Sequence, residues 1–124
     1  MRPHNSVGGY RIYPTSPADA EEADTQIALV ALFNEGMDRL RRERELNQRE
    51  QRLLANLPPN SQLVRDYQGM SSASNLIWRL GLEHQESLNN GVPPGPFTLR
   101  ELGEGLIRHA NRWQQWKQRL NEQA

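Results

Sequence analysis

The sequence predicts an all-α protein: a three- to four-helix bundle organised on one long N-terminal helix and closed by a heptad-patterned C-terminal helix. Three observations lead there. The run from Ser16 to Leu57 has a helix start, a helix stop and no proline between Pro17 and Pro58. The run from Leu99 to Leu120 spaces its apolar residues by threes and fours throughout. Between them, helix-spaced apolar residues alternate with capping residues such as Ser61 and Ser72.

Residues 1–15 are set apart as an irregular N-terminal arm, and 16–124 as a single helical domain. Pro3, Gly8, Gly9 and Pro14 break up the arm. Within it, Tyr10-Arg11-Ile12-Tyr13 either docks on a surface or adds a short edge strand.

The long helix begins at Ser16, whose side-chain oxygen suits the unpaired amides of a first turn, with Pro17 at the first helical position. Asp19, Glu21, Glu22 and Asp24 complement the positive end of the helix dipole. Asn56, Leu57 and the pair Pro58-Pro59 stop it, which gives roughly 60 Å of rod at ~1.5 Å per residue. Val30, Phe33, Met37 and Leu40 form a buried stripe. After Arg41 only Leu46, Leu53 and Leu57 continue an apolar line. The pairs Glu35–Arg39, Asp38–Arg42 and Glu45–Arg49 place the acid four residues before the base, worth ~0.2–0.5 kcal/mol each. Gly36 costs about 1 kcal/mol against alanine and marks either a bend or a close approach by another helix.

After the Pro58-Pro59-Asn60 turn, Leu63, Val64, Tyr67 and Met70 give a second helix its apolar face. Gly69 and Ser71-Ser72-Ala73-Ser74 predict a break near 69–72. A third helix then runs to about Leu88. Leu76, Ile77, Trp78, Leu80 and Leu82 occupy more than one of its faces, so it is expected to be the most buried. Asn89-Asn90-Gly91 stops it. Val92-Pro93-Pro94-Gly95-Pro96 reads as a stiff connector. Thr98 and Glu101 form a capping box, and Phe97 with Leu102 a hydrophobic staple, so the last helix starts at Leu99. Its seam is Leu99, Leu102, Leu106, His109, Trp113, Trp116 and Leu120. Gly103 and Gly105 open room for a neighbouring backbone.

Composition narrows the function classes. The chain of 124 residues is 35% hydrophobic, with mean hydropathy −0.86, which is low for a self-sufficient globule. Formal net charge is zero, which argues against general affinity for nucleic acid or anionic membrane. There is no cysteine, so neither a disulfide framework nor thiolate chemistry is available. No apolar run approaches the ~20 residues of a membrane span, and no signal-peptide core follows the first residues. A cytoplasmic setting is expected, or a host cytosol or nucleus for a viral protein. Fourteen arginines stand against one lysine, Lys117. GC-rich coding is one reading of that bias. Selection against lysine in a host cell is the other, and it motivates the reading of a phage or viral accessory protein.

Catalytic and metal chemistry finds little footing. His4, His84 and His109 share no metal-binding spacing. Glu101 is explained by its cap, Ser71–Ser74 lack a glycine elbow, and the glycine pairs lack a phosphate-loop lysine. No cofactor and no enzyme activity are therefore expected. The function expected instead is that of a non-enzymatic helical interaction protein (an adaptor, chaperone or regulator). It binds a protein partner, itself as a homodimer, or both, in coiled-coil fashion through amphipathic helices. The partner-binding residues expected are Val30, Phe33, Met37, Leu40, His109, Trp113, Trp116 and Leu120. Self-association follows from a rod too long for its companions to cover, and from charge. Residues 17–38 carry six acids and no Lys or Arg, whereas 39–52 carry six Arg against three Glu. The alternative is a nucleic-acid-binding regulator that uses Arg39, Arg41, Arg42, Arg44, Arg49 and Arg52 on phosphates.

Overall fold

Helix α4 (Leu99–Asn121) is the axis on which the other helices pack: α1 (Pro17–Arg44), α2 (Gln48–Asn56) and α3 (Gln62–Asn89). The computed structural model describes residues 5–7, 10–12, 17–91 and 98–123. Ahead of the helices, β1 (Asn5–Val7) and β2 (Tyr10–Ile12) pair antiparallel, Val7 opposite Tyr10, and β1 lies beside α1. The Tyr10–Ile12 segment is thus a strand of a short hairpin.

α1 and α4 run in the same direction. Gly103 lies against Leu32 and Phe33, Gly36 against Leu106, Arg39 bonds Asn111, and Lys117 pairs with Glu43. α3 runs the other way, with Asp66 level with Arg119 and Ser74 with Trp113. The α1–α4 contact is close, and glycine makes it so. A Cβ on Gly36 would stand 2.7 Å from the Leu106 Cβ and 3.1 Å from the Gly103 carbonyl oxygen. Gly36 is therefore a close approach, not a bend.

The rod expected over 16–57 is broken. α1 ends at Arg44, and residues 45–47 are not helical. Asn47 takes an extended backbone (φ −73°, ψ 173°) and caps α2. Its side chain accepts from the Glu50 amide at 2.7 Å, and Glu50 accepts from the Asn47 amide at 3.0 Å. Glu50 is buried and also accepts from the Asn121 Nδ2 at 3.0 Å, which ties α2 to the end of α4. α1 and α3 have 28 residues each and α4 has 23, so the lengths match and the overhang argument for association falls away.

The break expected near 69–72 does not occur: α3 is continuous from Gln62 to Asn89. Ser74, read as part of a breaker, is fully buried and its Oγ accepts the Trp113 indole N–H at 2.7 Å. A tertiary bond thus holds helix through a weak local sequence. α3 ends as expected, with Gly91 in the left-handed region at φ +69°. α4 starts at Leu99 behind Thr98, whose Oγ1 accepts from the Glu101 amide at 3.2 Å. Phe97 and the 92–96 connector lie outside the described residues.

The most buried helix is α4, not the 72–88 stretch. Leu99, Leu102, Leu106, Ala110, Trp113, Trp116 and Leu120 all face the interior, with Val30, Phe33, Met37 and Leu40 of α1 and Leu88 of α3. Trp113, Trp116 and Tyr67 form a three-ring cluster with centroids 5.3–5.7 Å apart. Trp116 donates to the Leu63 carbonyl at 2.9 Å.

Candidate interaction surface

Seven of the eight residues expected to face a partner lie in the chain's own core. Val30, Phe33, Leu40, Trp116 and Leu120 are 0% exposed, Trp113 2% and Met37 6%. They are brought together, but toward one another. His109 is half-buried, and Ala110 takes the interior position beside it. Burial, then Arg112 and Arg108, pushes the His109 pKa below the ordinary histidine value.

The six arginines of the basic segment do not form one face. Arg41 and Arg42 pair with Asp38 at 2.8 and 3.1 Å. Arg39 donates to Asn111 at 2.7 Å and Arg49 to Asn121 at 2.6 Å, so neither makes the helix pair expected of it. Arg44 donates to Asn75 and sits 5.9 Å over the Trp78 ring. Arg52 is exposed on α2, past the break. Successive arginines on α1 therefore point around the helix, tied to three different neighbours.

Among the described residues, the uncommitted apolar surface lies on α3 instead. Leu76 is 61% exposed and Leu82 46% exposed, whereas the other large apolar side chains of α3 are at least partly covered. α3 turns its 63–67–70–74–77–81–84–88 stripe inward, a strict four–three alternation. That leaves two flanks. On one, Trp78 and Gln85 line a trough of about 490 Å³ against Asn34, Met37, Asp38 and Arg41 of α1. Leu82 stands one turn from Trp78 on this flank. The trough exists because α1 and α3 touch only sparsely; both lean on α4. Inside it the hydrogen bond from Arg41 holds the Asp38 carboxyl below the usual aspartate value; partial burial opposes it, and the Arg42 charge adds to the lowering. On the other flank a groove of about 590 Å³ runs between the first half of α3 and the last half of α4.

His84 lies on the inward stripe, 8% exposed, its ring centroid 6.1 Å from that of Phe33. Its Nε2 is buried without a hydrogen-bond partner, and burial lowers its pKa. Sequence spacing missed Leu76, Trp78 and Leu82 as surface residues. Their spread over several faces read as depth, when it marks a helix covered on one side only.

Among the described residues no group of three or more His, Asp or Glu is placed to hold a metal ion, and no helix is long and apolar enough to cross a membrane. No protein-family model, curated protein or solved structure matches the chain.

Proposed function

We propose that this chain is a non-enzymatic helical binding module, an adaptor or regulator, which takes an amphipathic helix of a protein partner into the trough between α1 and α3. One observation carries the reading: half-buried Trp78 lines an open helix–helix trough, and Leu82, one turn further along the same helix, is 46% exposed. A helix seated there would pack at the usual separation of about 8–10 Å, complete a four-helix cross-section and cover both side chains. Trp78 would serve as the anchor; Asp38, Arg41 and Gln85 would supply the polar rim that sets register. Met37 and Trp78 supply the trough's apolar surface and its Asp38 and Arg41 pair with each other, so recognition rests on buried apolar area and the partner's pattern, not on steering by charge.

Displayed helical peptides selected on the purified protein test the reading. Selected peptides are expected to carry apolar residues every three or four positions. They should lose roughly tenfold or more in affinity to Leu82→Asp, because a buried leucine contributes about 1.5–3 kcal/mol. Leu82 is on the surface, so helical content and melting temperature should match the unaltered chain. Selection that yields no such peptides, or peptides that bind Leu82→Asp equally well, contradicts it.

A further inference from the structure

Zero net charge conceals a separation of charge along the bundle. The start of α1 carries Asp19, Glu21, Glu22 and Asp24, and no Lys or Arg precedes Arg39 in that helix. At the far end of the molecule, the α3–α4 groove is lined by Arg65, Arg112 and Arg119 beside Met70 and Ala73. Leu76 stands exposed one turn beyond Ala73. Arg119 is paired with Asp66 at 2.9 Å, which uses up one of the two acids of the groove. The other, Glu122, sits just past the end of α4. Arg65 and Arg112 are exposed and have no ion-pair partner among the described residues. The open stretch of the groove is therefore basic, with an apolar side.

We propose that this groove receives the acidic first turns of α1 from a second copy of the chain, so that copies associate head to tail. The acidic start cannot reach the groove within one copy. Phe33 is level with Gly103, so the two regions lie roughly 40 Å apart along parallel helices at ~1.5 Å per residue. That is several times the ~8 Å over which salt screens exposed charges. Contact between copies needs no such reach. The small residues also match: Ala18, Ala20 and Ala23 are interspersed with the acids, and the groove carries Ala73 and Gly69, which has open space where a Cβ would be. Small residues on both sides let helix backbones lie close. Because one end meets the other end, the contact is heterologous and extends into chains or closes into a ring. The inference stands whether or not the α1–α3 trough holds a partner.

The test is light-scattering mass in about 20 mM and about 0.5 M salt. The unaltered chain should exceed monomer mass at low salt, rise with concentration, and return to monomer at high salt. Arg65→Gln with Arg112→Gln should remove one end of the contact, and Glu21→Gln with Glu22→Gln the other. Each doubly altered chain should then associate at least roughly tenfold more weakly. Mixed in equal amounts, the two should form a one-to-one complex of twice monomer mass and nothing larger, because only one charged contact survives. A monomer at low salt overturns the proposal, and so does association that persists in high salt or in both variants. A chain that is monomeric yet still binds selected peptides through Leu82 would remove head-to-tail association and leave the trough reading intact.

Discussion

The indole N–H of Trp113 donates to the Oγ of Ser74 at 2.7 Å across the buried α3–α4 contact. The serine is 0% exposed, so no water can take its place on the ring. Ser74→Ala is expected to leave the indole N–H unsatisfied and to cost ~1–3 kcal/mol, read as a lower melting temperature. Trp113→Phe should cost less in the Ser74→Ala background than in the parent, since there it also removes an unsatisfied donor. A Ser74→Ala chain as stable as the parent would contradict this account.

Asn47 and Glu50 decide where the N-terminal helical region breaks. Asn47→Ala removes the acceptor for the Glu50 amide and should cost ~0.5–2 kcal/mol in chemical denaturation. Amide exchange should accelerate first at Glu50 and the α2 residues after it. Unchanged exchange there would show that the packing of α2 on α4, not its cap, holds the break in place.

At Gly36 two effects oppose each other. Alanine gains about 1 kcal/mol of helix propensity. The added methyl, however, would stand 2.7 Å from the Leu106 Cβ and 3.1 Å from a backbone oxygen, and overpacking of that kind costs ~1–3 kcal/mol. Backbone cannot swing aside as a side-chain tip does, so Gly36→Ala is expected to be net destabilising in a thermal melt. A rise in melting temperature would mean that α1 and α4 are not in such close contact.

His84 sets the sign of the acid response. Burial against Phe33 lowers its pKa from the ordinary 6.5, so the folded state favours the neutral ring. The stability it contributes is present in full above the unfolded value near 6.5. It is lost as pH falls from there through the lower folded value, because the unfolded chain takes up the proton first. His109, lowered by burial and by Arg112 and Arg108, acts in the same direction. His84→Leu should flatten the fall in stability below pH 6.5, because Nε2 of His84 is fully enclosed and unpartnered. Denaturation midpoints measured across that range check it; identical slopes in the parent and His84→Leu would contradict it.

Legibility followed the range of the interactions. The start of α4 rests on Thr98 and the residues just after it, and its seam on spacing within one helix, so both could be read directly. The all-α class and the buried stripe Val30–Phe33–Met37–Leu40 followed for the same reason. The break at 45–47 was written as Asn47-x-x-Glu50. Leu46, Leu53 and Leu57 continued the helical line across it and hid it, because a thin apolar line reads the same whether or not the helix bends. The serines at 71–74 look like a stop, and only the Trp113 ring 39 residues away makes Ser74 part of a helix interior. Periodicity marks which face of a helix is buried without saying what buries it. That is why spacing alone points Trp113 and Trp116 toward a partner, although both are buried in the chain's own core, and points Leu76 and Leu82 inward, although both are exposed.

The most direct measurement of the central claim is amide and indole shift mapping of the isotope-labelled chain titrated with a selected helical peptide. The account predicts that the changes concentrate on the Trp78 indole N–H and on Asn34, Met37, Leu82 and Gln85, while Trp113 and Trp116 stay still in the core. Changes centred on the outer face of α4, or on Trp113 and Trp116 with the bundle opening around them, would contradict it.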